Sequence, residues 1–99
     1  MKKYSITFAR SASGDLEDIL AWYAEQSVPD VGKRLVSEII SSIERLADFP
    51  ESGRIVPEFE MPWLREIIQT PFRIVYRLDE QRVRIVRVWR SERLLKMPG

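Results

Sequence analysis

FRIVYRLDEQRVRIVRVWRSER, running from Phe72 to Arg93, reads as two β-strands and a tight turn with a high density of arginine. In its first half Phe72, Ile74, Tyr76 and Leu78 fall on one side, and Arg73, Val75 and Arg77 on the other. A period of two with β-branched and aromatic residues suits a half-buried strand. Asp79-Glu80-Gln81 is the polar break. The second half puts Val83, Ile85, Arg87 and Trp89 on one side, and Arg82, Arg84, Val86, Val88 and Arg90 on the other. Its apolar set changes sides midway, which a β-bulge or a two-sided environment would explain.

Outward from this hairpin the chain supplies what must cover it. Tyr4, Ile6 and Phe8 alternate with Ser5 and Thr7, a first strand with one apolar face. Ser11 or Ser13 suits a helix cap, with Asp15, Glu17 and Asp18 in the first turns, where the helix dipole favours negative charge. Leu16, Ile19, Leu20 and Tyr23 recur at helical spacing, so this helix runs to about Gln26. Pro29 fits the first turn of a second helix, whose stripe is Leu35, Ile39, Ile43 and Leu46. Gly32 costs roughly 1 kcal/mol of helicity and allows close approach of the first helix. The short connection makes the two helices an antiparallel hairpin. Neither is long enough to stand alone in water, so both must lie on the sheet.

Pro50 to Pro62 is the longest irregular stretch, and such loops are often functional. Leu64 to Thr70 is a further strand, broken by Pro71. The predicted order is β-α-α-β-β-β: a single α+β domain, residues 1–99, with a helical hairpin on one face of a small antiparallel sheet. Ser91 to Gly99 reads as a tail that docks Leu94, Leu95 and Met97 on the body.

Composition narrows the chemistry. There is no histidine and no cysteine among 99 residues, which removes the commonest general base, the thiol nucleophile and the usual transition-metal ligands. No cofactor is expected: glycine fingerprints and spaced ligand sets are absent. No run approaches the ~18 apolar residues of a membrane span, and the N-terminus lacks a signal-peptide pattern, so the default is a soluble cytoplasmic protein without a membrane partner. The net charge of +1 hides an asymmetry. Residues 1–62 carry 7 Lys+Arg against 11 Asp+Glu, and residues 63–99 carry 9 against 4. A basic C-terminal third invites an acidic partner. The plainer reading is that these arginines solvate the open face of the sheet.

As a binding surface, Arg73, Arg77, Arg84 and Arg90 would share one exposed side, with Arg82 near the turn. The guanidinium fork suits carboxylate or phosphate. Trp89 is either an interface anchor or a core residue. Trp22, displaced from its helix stripe, and Trp63, before a strand, read as partly exposed. Tyr76 is the best-placed phenol for hydrolytic chemistry, but its alternation with Ile74 and Leu78 fits a core tyrosine. Asp15, Glu17 and Asp18 read as helix-capping and solvating carboxylates. An exposed sheet edge would also accept a partner strand.

Four local motifs, with the order of elements, resemble the RelE/ParE superfamily of bacterial toxins from type II toxin–antitoxin pairs. They are Asp15-Leu16-Glu17-Asp18-Ile19, Phe49-Pro50-Glu51-Ser52-Gly53-Arg54, Phe72-Arg73-Ile74-Val75-Tyr76-Arg77, and Val86 to Arg93. The chain looks like the ParE branch. That resemblance implies inhibition of DNA gyrase, blocked replication, a place in bacterial stress response, and no catalysis by the toxin itself. It also implies neutralisation by a ParD-like antitoxin whose C-terminal segment wraps the toxin. Direct specific nucleic-acid binding is not expected except through antitoxin or gyrase. ParE-like chains often carry Val-Trp-His near the last strand, and here Arg90 stands in the histidine place. The alternatives are a RelE-like ribosome-dependent mRNA endonuclease and a non-toxic binding module of the same fold. The expected target- or antitoxin-binding residues are Arg54, Arg73, Arg77, Arg87, Trp89, Arg90 and Arg93, none catalytic; Arg54 has a structural alternative, pinning its loop to the sheet. Uncovered apolar surface leaves room for a homodimer or the antitoxin.

Overall fold

A computed structural model describes residues 3–91. The chain enters through β1 (Ser5–Phe8) and continues into α1 (Arg10–Glu25) and α2 (Pro29–Glu44), which closes with a 3₁₀ turn at Arg45–Ala47. The strands β2 (Arg54–Ile55), β3 (Leu64–Gln69), β4 (Phe72–Leu78) and β5 (Arg82–Arg90) follow. Among the described residues these make one sheet in the order β1-β5-β4-β3-β2. The expected helical hairpin on an α+β layer is present, and β2 to β5 form the antiparallel part. The sheet as a whole is mixed, because β1 lies parallel to β5. Parallel neighbours need a long crossover, and the two helices supply it.

The helices start where local chemistry permits. Pro29 occupies the first turn of α2, as its missing N–H suggests. α1 begins earlier than expected, after Ala9, with no side-chain cap. Neither Ser11 nor Ser13 caps it; the Ser11 hydroxyl instead donates to the Val86 carbonyl at 2.7 Å, tying α1 to β5. No acidic residue lies in the first turn of α1. Gly32 lies against Tyr23: a Cβ there would sit 2.9 Å from the Tyr23 Cβ. The close approach that offsets the helical cost of this glycine is therefore realised.

The main core lies between the layers. Ala12 and Ile19 of α1, with Ile39, Ile43 and Leu46, pack on Phe72, Ile74 and Tyr76 of β4 and Val83, Ile85 and Val88 of β5. Each fully buried aliphatic side chain contributes about 1.5–3 kcal/mol. The β4–β5 register explains how β5 presents Val83, Ile85 and Val88 on one face. Val75 pairs with Arg87 and Tyr76 with Ile85, so Val86 is the extra residue of a bulge. The bulge reverses the pleat beyond it. Arg82, Arg84, Arg87 and Trp89 therefore share the open face, and Arg90 joins the helix side.

A second, smaller core lies on the open face. Val56, Leu64 and Val75 pack together with Phe59 and Trp89. The irregular stretch expected to be functional is thus partly a cover for the sheet. Its start is fastened by Tyr76, which is fully buried as a core tyrosine. The Gly53 N–H donates to the Tyr76 hydroxyl at 2.9 Å, and that hydroxyl donates to the Pro50 carbonyl at 2.8 Å. A Cβ on Gly53 would lie 2.5 Å from the same hydroxyl and 2.7 Å from the Glu66 carbonyl oxygen, so no larger residue fits this turn.

Tyr76→Phe is expected to cost roughly 1–3 kcal/mol, since it strips partners from two poorly solvated backbone groups. Burial raises the Tyr76 pKa above its ordinary 10.0, against the opposing hydrogen bond from Gly53. The unfolded chain therefore loses this proton first. The stability that follows is complete below about pH 10 and declines above it. Urea midpoints across alkaline pH should show this decline in the parent chain and a weaker one in Tyr76→Phe.

The expected docking of Leu94, Leu95 and Met97, and the placement of Arg93, lie outside the described residues. No helix among the described residues is long and apolar enough to cross a membrane.

Candidate interaction face

The open face of β3, β4 and β5 carries most of the arginines singled out from the sequence, and their partners divide them. Arg73 points out of β4 at the alternate pleat position, yet its side chain is only 5% exposed. It lies between two carboxylates. Its Nε donates to Glu66 at 2.7 Å, and Nη1 and Nη2 donate to Glu58 at 2.9 and 3.0 Å. Glu66, fully buried on β3, also receives Arg54 Nε at 2.6 Å. Hydrogen bonding to Glu58 raises the Arg73 pKa above its ordinary value, outweighing burial, with Glu66 adding to the rise. The guanidinium stays charged.

Arg73 is therefore a structural member of a neutral four-residue network, and its expected role as an exposed contact is corrected. Arg54 takes the structural alternative in part: it pins the loop to Glu66 while 59% of its side chain stays exposed. Glu58 and Glu66 were not singled out from the sequence. A charged residue at an alternate position between Leu64 and Ile68 was the available signal for Glu66; Glu58 had none.

Arg87 is likewise engaged. It donates from Nε and Nη2 to both oxygens of Asp15, at 2.9 and 2.8 Å, and the Val88 N–H adds a third bond to that carboxylate at 2.8 Å. Asp15 is thus a tie between α1 and β5, which corrects its reading as a capping or solvating group. Arg87 also stacks on the Trp89 ring at 4.4 Å. The indole of Trp89 belongs to the smaller core, and its Nε1 is buried without a hydrogen-bond partner among the described residues.

Arg77, Arg82 and Arg84 are different. Arg77 is exposed and lies over the Trp63 ring at 5.1 Å; Trp63 is 44% exposed, and Trp22 50%, as their sequence positions suggested. Arg84 stands directly opposite Arg77 in the β4–β5 register and reaches Thr7 Oγ1 at 3.5 Å. Arg82 is exposed one pleat repeat away. Among the described residues none of the three forms an ion pair.

Arg90 lies on the other side of the sheet, over the Phe72 ring at 5.9 Å. There it borders a cleft of about 410 Å³ lined also by Ile19, Trp22, Tyr23 and Val88. The expected single row of Arg73, Arg77, Arg84 and Arg90 is therefore corrected: the bulge removes Arg90 from it and pairing removes Arg73. What remains on the open face is a basic end at the β4–β5 turn, and a neutralised end around Glu66.

Such a surface can bind anions, and Tyr76 brings no phenol to it, since that side chain lies in the core on the helix side of β4, buried with both hydrogen bonds made. Residues 6–95 match the sequence model of the ParE toxin of type II toxin–antitoxin system, parDE. Among solved structures, the chromosomal ParDE TA system from P. aeruginosa includes a chain 25% identical, with a TM-score of 0.75, over 91% of this chain and 98% of that one. The toxin–antitoxin complex RelBE2 from Mycobacterium tuberculosis includes one that shares the fold at 19% identity, with a TM-score of 0.65, over 90% and 99% of the two chains. No curated protein sequence matches.

Proposed function

The chain belongs to the ParE toxin family of type II toxin–antitoxin systems, and from that premise we propose that it inhibits DNA gyrase, blocks replication, and is held silent by a ParD-like antitoxin. It acts in the cytoplasm, by binding rather than by catalysis. The observation that carries this reading is how the polar groups of the β4–β5 hairpin are engaged. Tyr76 is closed into a turn, Arg73 and Arg87 are neutralised inside the chain, and histidine is absent. General acid–base cleavage of RNA needs a titrating group within reach of the substrate. The structure of this hairpin favours grip over bond breaking. The likeness to a ParDE system supports the antitoxin as partner.

A second reading, a RelE-like mRNA endonuclease, draws on Arg77, Arg82 and Arg84, which form no ion pair among the described residues and suit phosphate as well as carboxylate. Purified chain added to a gyrase supercoiling assay is expected to stop supercoiling or leave cleaved DNA. An unaffected gyrase, together with mRNA cut on ribosomes, would transfer the assignment to the second reading. Induced expression without growth arrest would instead favour a binding module that carries no poison.

A further inference from the structure

On the helix side of the sheet, the cleft of about 410 Å³ is lined by Ile19, Trp22 and Tyr23 of α1 and by Phe72 and Val88 of the strands. Trp22 is 50% exposed and meets Tyr23 edge-on at 4.8 Å. Apolar surface gathered in a concavity of this size is stabilised by a cover. The α1 rim of the cleft is acidic. Asp18 is exposed and forms no ion pair among the described residues, whereas Asp15 is held by Arg87. The chain leaves the sheet at the same place. Arg90 borders the cleft, and the Ser91 N–H donates to the Pro71 carbonyl at 2.7 Å, fixing the exit beside Phe72.

We propose that the chain's own tail, residues 92–99, seats Leu94 and Leu95 in this cleft, with Arg93 and Lys96 turned to the rim at Asp18. Reach is sufficient. At the rise of an extended chain, Leu94 and Leu95 lie within roughly 10–13 Å of Ser91, and Ser91 stands at the rim. Charge matches as well, because the two cations flank the leucine pair and the rim residue is a carboxylate. A tethered segment also has an advantage over a separate molecule. A short link gives it an effective concentration on the order of millimolar, which a second copy would have to equal in solution. Seated on the helix side, the tail leaves Arg77, Arg82 and Arg84 uncovered on the open face. Docking of this kind is a property of the chain alone and holds whatever its target.

The test uses the absence of cysteine from the chain. Leu95→Cys supplies a single thiol that is itself a small apolar group, and its rate of reaction with a disulfide reagent reports cover at that position. In the full chain that rate is expected to be at least tenfold below the rate of Lys33→Cys, on the exposed surface of α2, and independent of protein concentration. Trp22→Glu in the Leu95→Cys chain should lift the protection by placing a charge in the cleft. Arg93→Glu combined with Lys96→Glu should lift it too, by repulsion from Asp18. Added negative charge raises a thiol pKa and by itself slows the reaction, so a faster rate in these variants reads exposure alone. Urea midpoints check that Trp22→Glu stays folded, and if it does not, the tail variants decide. A parent rate equal to that of Lys33→Cys would overturn the proposal. So would protection that neither set of variants lifts, which would put the tail elsewhere. Protection that grows with protein concentration would make the occupant a second copy and overturn it likewise.

Discussion

Arg73→Ala is expected to lower stability by roughly 3–5 kcal/mol, enough to unfold much of a domain this small. The side chain removed is 5% exposed, and the carboxylate it leaves behind, Glu66, is fully buried. Arg54 would still contact Glu66, but from an exposed position where water weakens the pair. Glu58 would lose both of its hydrogen bonds to the guanidinium. The loss is mostly that of a stranded charge, so removing the charge should restore much of it. Arg73→Leu combined with Glu66→Leu is expected to be clearly more stable than Arg73→Ala, because Leu64 and Val75 already offer apolar neighbours on that face. Urea midpoints at constant m would decide. A cost below about 1 kcal/mol for Arg73→Ala would mean that the network contributes little, and that Arg73 had been free to serve a partner after all.

Asp15→Ala should follow at roughly 3 kcal/mol. Asp15 is 11% exposed and holds three donors: two from Arg87 and the Val88 backbone N–H. Hydrogen bonds to a charged acceptor are worth about 1.5–3 kcal/mol each before solvation is regained. Asp15→Asn keeps an oxygen for one donor and loses the charge, so it should fall between the parent and alanine. Glu17→Ala, one turn face away and exposed, should lie within about 0.5 kcal/mol of the parent. Equal effects at Asp15 and Glu17 would return Asp15 to the solvating role its helix position suggested. The pair also orients Arg87 over Trp89, so near-ultraviolet circular dichroism of the indole should change in Asp15→Ala.

These two variants share a lesson about what could be read in advance. The alternation of Phe72, Ile74, Tyr76 and Leu78 and the stripe of Ile39, Ile43 and Leu46 named most of the core. The switch of sides within Arg82 to Arg90 pointed to the bulge, but left open where it lay. The gap between the expected and observed arginine face comes from that one extra residue, Val86, and from carboxylates supplied by distant parts of the chain. The start of α1 differs from its local signal because Ser11 and Ser13 suit a cap by sequence, whereas the Ser11 hydroxyl finds its acceptor on β5. The direction of β1 was not legible either, since no turn connects it to its neighbour.

By itself the sequence determined the period of each element, the turn at Asp79-Glu80-Gln81, the stop at Pro71, and hence a helical hairpin over a β-layer. Those are local steric and solvation preferences, set by residues a few positions apart. Which guanidiniums remain available was decided only by the tertiary structure. Arg87 meets Asp15 across 72 positions and Arg73 meets Glu58 across 15, and each pair is shielded from water by its surroundings. The strength of a charge pair depends on distance and on the dielectric around it, and neither exists until the chain has folded.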